Sequence, residues 1–360
     1  MNDFYASTVH NRINSDAEST RQRYRQRIAR ELSWMGWREE AIAGKTIFDV
    51  GTGWQALTFI ELGAREVHHR DLSSAQVDAL NREMTRRGIG NLHSRQGDLC
   101  SPWDVDGAFD LIFLLGVFHH LADPGAMLEQ ALERLKPGGS LYLRLYRSGT
   151  WSRWLTAHLR PVAATLSPSL MERVYTLQFP LELQRDGSFL GNMLDDLFTP
   201  VWGAFHPETF LHNAAFAGGS IKTEEDRYHW DFSDRDENFR VLFTRSPQGS
   251  TADRATRNQH PVVIAPVDQR TLPLTDPQAR RIGHLLQQSM DALLEQSHEW
   301  ERACALLTLY RLVRRFHGLS YFTLSRPEPS SISAFVGDLQ RKRLESLEIL
   351  LQRWGSSESR

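Results

Sequence analysis

The chain of 360 residues has only two cysteines, Cys100 and Cys304, and they lie far apart. They form neither a disulfide framework nor a metal-ligand pattern, which points to a reducing, cytoplasmic setting. No apolar run is long enough to cross a bilayer, so no membrane partner is expected. The N-terminus "MNDFYASTVHNRINSD" lacks a basic segment followed by an apolar one, so it does not read as a secretion signal. Charge of one sign is missing too. The 42 basic and 44 acidic side chains leave a formal net charge of −2, which gives no global attraction to nucleic acid or anionic lipid. The histidines at 68/69 and 119/120 are adjacent pairs rather than pairs one helical turn apart, and no metal site is expected. There is no internal repeat.

What is present is a core-forming composition, 41% hydrophobic, arranged in a rhythm. From residue 44 to about 150, short apolar runs alternate with amphipathic stretches. "KTIFDV", "EVHHRDL", "NLHSRQGD", "FDLIFLLGVF" and "SLYLRLY" read as strands. "WQALTFIELGA", "SSAQVDALNREMTRRG" and "DPGAMLEQALERLKPGG" read as helices, with Ser, Asp-Pro and Gly as start and stop signals. Such alternation predicts a parallel sheet with helices on both faces. "FDLIFLLGVF" is apolar almost throughout, as a strand buried on both faces should be. An arginine-rich helix over residues 18–37 precedes this unit and reads either as a solvated face or as a lid. Residues 151–200 are aromatic-rich and read as irregular. "HPETFLHNAAFAGG" reads as a helix, and "SIKTEEDRYHW" and "NFRVLFTR" as two further strands, for seven in all.

The turn "DVGTGWQA" carries the chemistry. Gly51-Thr-Gly53-Trp-Gln-Ala56 fits the dinucleotide fingerprint, and Asp71 follows Gly51 by twenty residues at the end of the second strand, so an NAD(P)-dependent oxidoreductase is one reading. Asp49 argues for another. A pyrophosphate on a helix N-terminus is disfavoured by a nearby carboxylate, whereas a ligand bearing an ammonium or sulfonium is favoured by it. A second acid, Asp98, stands at the end of the third strand, where ligands lie in such sheets.

With "IFDVGTG", "HHRDLSSAQVDAL", "GDL", "FDLIFLLGVFHHLADP" and "LKPGGSLYLRLY" in this order, residues 45–147 resemble a class I S-adenosylmethionine-dependent methyltransferase of the small-molecule type. The resemblance implies a Rossmann-like seven-stranded α/β sheet and S-adenosyl-L-methionine as cofactor. It implies that Gly51 and Gly53 approach the methionine part, that Asp49 organises its amino end, and that Asp71, with Leu72 beside it, takes the ribose hydroxyls. Asp98 would meet the adenine amino group, Leu99 would pack on its ring, and Leu115 and Gly116 would border the methyl group. One departure stands out: the third glycine of the family pattern is Gln55, preceded by Trp54. This pair would narrow the site or contact the methionine carboxylate.

His119 and His120, just past the fourth strand, and His206 are candidate proton acceptors. Tyr146, Arg147, Asp195, Asp196, Phe198 and Trp202 are candidates for holding the acceptor, the aromatic ones by stacking. The partner is expected to be a small-molecule methyl acceptor. The N-P-P-Y motif of nucleic-acid and protein amino-group methylation is absent, and the arginine-rich helix alone keeps an RNA- or protein-modifying reading open. The expected organisation is an N-terminal helical lid over 1–43 and a methyltransferase domain over 44–248 with a substrate-cap insertion at 151–210. A linker over 249–276 and a C-terminal helical domain over 277–356 follow. The three amphipathic stripes of that last domain, beginning with Ile282, Leu285 and Leu286, would pack on themselves, on the catalytic domain, or on a second copy as a homodimer.

Overall fold

The computed structural model describes residues 17–105, 107–148, 150–185, 188–206, 210, 219–223, 238–247, 264–271, 277–295 and 298–314, with isolated positions 345, 348, 349 and 352. Two units are separate by their internal packing. One comprises Met1–Tyr146, Pro200–Tyr228 and Phe239–Pro266; the other comprises Arg147–Thr199, His229–Asn238 and Val267–Arg360.

The first unit is built on a seven-stranded sheet. Its strands are β1 (Thr46–Val50), β2 (Glu66–Asp71), β3 (Leu92–Gln96), β4 (Phe109–Leu115), β5 (Leu135–Tyr146), β6 (Gly219–Thr223) and β7 (Asn238–Arg245), in the order β3-β2-β1-β4-β5-β7-β6. β1 through β5 pair parallel, and β6 pairs antiparallel with β7. The strand order reverses between β1 and β4, and their carboxyl ends are the expected place for a ligand.

Alternation of side chains explains why β4 is apolar along its whole length. Leu111, Phe113 and Leu115 pack with Ile28 and Leu32 of α1 (Ala17–Met35), Leu57 of α2 (Trp54–Glu61) and Leu80 of α3 (Ser74–Arg87). Ile112 and Leu114 pack on the other face with Met127 and Leu132 of α4 (Pro124–Glu133). The helix borders follow from local chemistry. Ser73 Oγ accepts from Gln76 N at 3.3 Å to start α3, and Gly88 ends it in the left-handed region. Asp123 Oδ1 accepts from Ala126 N at 2.9 Å, with Pro124 in the first turn of α4.

The structure moves one border. The helix read through "ERLKPGG" stops at Glu133, and β5 starts at Leu135. Phe109 pairs with Leu135 but Leu111 with Ser140, so the segment Lys136–Gly139 bulges out of the ladder. Gly138 at φ 74° permits that bulge.

The second unit is helical. Residues 151–200, expected to be irregular, form α5 (Trp151–Ala163), α6 (Pro168–Gln178), α7 (Pro180–Arg185) and α8 (Ser188–Phe198). They share one core with α9 (Pro277–Glu295) and α10 (Glu299–Arg314): Leu159, Met171, Tyr175 and Leu194 are buried with Ile282, Leu286, Leu307 and Tyr310. The insertion and the C-terminal helices thus make one body instead of the two pieces expected. The aromatic residues that obscured helical periodicity, such as Tyr175 and Phe189, fill its centre. Part of the expected linker is also packed: Ile264 is buried in the sheet unit's core. The helix expected over 206–219 and the third C-terminal stripe, Leu344 to Trp354, lie mostly outside the described residues. Among the described residues no helix is long and apolar enough to cross a membrane.

Candidate cofactor site

β1 ends in a turn that only glycine builds without strain. Gly51 has φ 107° and Gly53 φ 80°. A Cβ on Gly53 would stand 2.7 Å from Leu80 Cδ2, so this position also lets α2 and α3 pack closely. Three braces hold the turn. Thr52 Oγ1 and the Tyr24 hydroxyl of α1 are 3.1 Å apart. His69 of β2 reaches the Gly51 carbonyl through Nε2 at 2.6 Å. Because a carbonyl only accepts, Nε2 carries the proton, and Nδ1 then accepts from Ser94 Oγ at 2.9 Å. Burial pushes the His69 pKa down to about 4, so the ring is neutral at physiological pH.

Asp49 lies beneath the turn and is fully buried. Among the described residues neither carboxylate oxygen completes a hydrogen bond of good geometry. Burial raises its pKa well above the ordinary range, the backbone N–H groups of Val50 and Ala56 give partial relief, and the charge of Asp71 raises it further. Asp71 closes β2. Its Oδ1 accepts from Ser73 N at 2.7 Å, and burial pushes its pKa up to about 7. Leu72 is half-buried beside it, its carbonyl accepting from Gln96 Nε2 at 2.9 Å.

Past β3, Asp98 is exposed and its Oδ1 accepts from Cys100 N at 2.9 Å, which fixes the loop. Leu99 is 5% exposed and belongs to the core with Trp103. Leu115 ends β4, buried, and Gly116 follows at φ 80° with its N–H donated to the Arg144 carbonyl at 3.3 Å.

Three separate sequence signals converge next to this edge. His119 is buried and stacks on Tyr146 at the end of β5, with ring centroids 3.4 Å apart. Trp202 lies 6.0 Å from the Tyr146 ring. The segment carrying Trp202 is pinned by Gly203 N donating to the His119 carbonyl and Phe205 N donating to the Tyr146 carbonyl, each at 2.9 Å. His120 Nδ1 bonds the Val201 carbonyl at 3.0 Å, so Nδ1 carries a proton, and in the neutral tautomer the lone pair lies on Nε2. His206 is half-buried a few residues on.

The remaining acceptor candidates belong to the helical unit. Asp196 is buried, its Oδ1 2.8 Å from Arg153 Nη1 and its Oδ2 accepting from the Tyr310 hydroxyl at 2.6 Å. Its charge is thus neutralised within that unit's own core. Asp195 accepts from Thr199 Oγ1 at 2.9 Å, Phe198 packs against the same core, and Arg147 stands half-buried at the unit's start. Sequence reasoning missed His69, Ser94 and Tyr24 as braces of the turn. The signal was present in His69, a titratable residue inside a strand that pairs with β1.

Residues 48–139 match the family described as "Methyltransferase domain". The segment is thus similar to a methyltransferase domain. The match spans the Asp49 turn, Asp71, Asp98 and the end of β4, which are the positions just described. This segment is 32% identical over 82 residues to an uncharacterized protein of Synechococcus, covering 22% of this chain and 20% of that protein. It is 37% identical over 71 residues to the uncharacterized protein YafE of Escherichia coli K12, covering 20% of this chain and 34% of that one. The chain therefore spans only 20% and 34% of the length of these two curated relatives. Among solved structures, magnesium protoporphyrin IX methyltransferase from Synechocystis is 16% identical, with 68% of this chain and 97% of that chain covered and a TM-score of 0.41. The CcbJ methyltransferase from Streptomyces caelestis is 22% identical, with 30% and 49% covered and a TM-score of 0.28.

Proposed function

We propose that this protein transfers a methyl group from S-adenosyl-L-methionine to an oxygen, nitrogen or carbon nucleophile of a small molecule, in the manner of natural-product tailoring enzymes. The observation that carries the reading is the charge beneath the glycine turn. Asp49 and Asp71 place two acids along one sheet edge, and Asp71 is the only charged side chain among the influences acting on Asp49. A dinucleotide would bring a pyrophosphate to this turn and add negative charge to negative. A ligand with an ammonium and a sulfonium brings the opposite sign. That comparison favours the methyltransferase over the NAD(P)-dependent oxidoreductase.

The residues fit the cofactor. Asp71 at the end of β2 would hold the two ribose hydroxyls with its two oxygens. Asp98, exposed at the end of β3, would accept from the adenine amino group. Gly51 and Gly116, lacking side chains, would leave room for the methionine part. When bound, the cofactor supplies a methyl group on a cationic sulfur. The protein's task is then to align the nucleophile and keep water out, since methyl transfer to a good nucleophile depends on positioning and desolvation more than on base strength. Tyr146 and Trp202 would give a planar acceptor an aromatic wall. His120, whose neutral tautomer carries its lone pair on Nε2, would take the proton that a hydroxyl or amine releases.

Calorimetric titration of the purified protein with S-adenosylhomocysteine, NAD and NADP tests the reading. Binding of S-adenosylhomocysteine alone is expected. Binding of a nicotinamide nucleotide alone would replace the proposal with the oxidoreductase.

A further inference from the structure

The third glycine of the family pattern is replaced here by Gln55, and the structure gives the replacement a place. Gln55 is 4% exposed, yet its Oε1 is buried without a hydrogen-bond partner. The side chain folds back over the turn: a Cβ built on Gly51 would lie 3.6 Å from that Oε1. Asp49 contributes two more buried oxygens without partners at the base of the same turn, and Ala56, next to Gln55, is one of the two backbone N–H groups acting on the Asp49 carboxylate. The turn therefore gathers three buried acceptor oxygens without partners among the described residues. Buried acceptors left unsatisfied are costly, and chains keep few of them without a reason.

A primary ammonium is the complementary group. It carries three N–H donors and a positive charge, matching three acceptors of which two share a negative charge. We infer that Gln55 is a positioning residue whose amide oxygen accepts one N–H of the ammonium at the amino-acid end of the cofactor, with Asp49 taking the other two. The inference rests on the methyltransferase reading and deepens it. In place of the third glycine of the family pattern, this chain has a side chain that fills the turn and selects for an amino group. Gln55 would thus tie the cofactor's amino-acid end to the start of α2, as the Thr52 and His69 contacts tie the turn itself.

The test compares S-adenosylhomocysteine with two probes of the same nucleoside thioether: its deaminated analogue, and methylthioadenosine, which lacks the amino-acid end altogether. Calorimetry is run on the full chain and on Gln55→Met, a near match in volume without the amide, with Gln55→Glu as the variant that retains an acceptor. Gln55→Met is expected to weaken S-adenosylhomocysteine about tenfold, to leave both probes unchanged, and to be rescued in Gln55→Glu to within about threefold. An equal loss for all three ligands would show that Gln55 only packs the turn, and no loss for any would show that it does not meet the ligand; either overturns the inference. If the unaltered protein binds none of the three ligands, the methyltransferase reading fails with it. If Gln55→Met does not fold, Gln55→Glu decides alone: loss of discrimination between S-adenosylhomocysteine and its deaminated analogue overturns the inference, and retained discrimination supports it.

Discussion

Two aspartates, buried to a similar degree in the two units, have opposite surroundings. Asp196 of the helical unit is paired with Arg153 and accepts from Tyr310, so its charge is neutralised by the chain itself. Asp49 of the sheet unit has the Val50 and Ala56 amides near it and, among the described residues, a second acid, Asp71, as its charged neighbour. Burying a carboxylate without a counter-charge is strongly unfavourable, and proteins retain such groups mainly where a ligand completes them. The pair separates architecture from function. The acid whose partners lie inside the fold holds helices together, and the acid without them is the one proposed to meet a ligand.

The comparison is broken most forcefully at Asp196. Asp196→Ala removes the carboxylate paired with the buried Arg153, and is expected to destabilise the helical unit by about 3–5 kcal/mol. Denaturant unfolding should show this as a large fall in midpoint. Asp49→Asn should do the reverse. Its melting temperature is expected to stay level or rise, because a desolvated charge is removed, while affinity for S-adenosylhomocysteine falls. A loss of stability in Asp49→Asn equal to that in Asp196→Ala would erase the distinction between the two acids.

Asp71→Ala comes next. Losing the carboxylate proposed to take two ribose hydroxyls should weaken S-adenosylhomocysteine by about a hundredfold, read by calorimetry.

The raised pKa of Asp71 then sharpens the picture through pH. Its folded value, pushed up to about 7, lies above the unfolded value. The protonated carboxyl therefore favours the folded state, an advantage present at low pH and lost as pH rises through about 7. Binding has the opposite sign, because the ribose hydroxyls need the ionised acid. Affinity should rise between pH 6 and pH 8, with proton release on binding that buffers of different ionisation enthalpy reveal. The profile should flatten in Asp71→Asn.

The smallest effect belongs to the braces. Ser94→Ala removes the hydroxyl that holds Nδ1 of His69, and is expected to cost about 1 kcal/mol in stability with a few-fold loss of affinity. An affinity loss as large as that of Asp71→Ala would move His69 from supporting the turn to forming the site.

Much of this was legible in the chain alone. The strand–helix alternation from residue 44 to 146 specified the parallel sheet, because side-chain period and burial are local properties of such segments. Asp49, Asp71 and Asp98 were readable as a set because each ends a strand, and parallel strands bring their carboxyl ends to one edge. What misled the reading was composition without period. The aromatic-rich insertion looked irregular because Tyr175 and Phe189 are core residues of a helical body whose other half comes more than a hundred residues later. The acid at 196 looked available for a ligand because nothing in the neighbouring sequence names Arg153 or Tyr310 as its partners.

The sequence by itself determined the sheet, the glycine turn and the acids along its edge, since these follow from spacing within one continuous segment. Only the tertiary structure decided which acid is neutralised, that Trp202 joins His119 and Tyr146, that Leu99 belongs to the core, and that Gln55 turns its oxygen over Gly51. Each of these depends on residues far apart in the chain, or on a side chain's direction, and neither spacing nor composition encodes those.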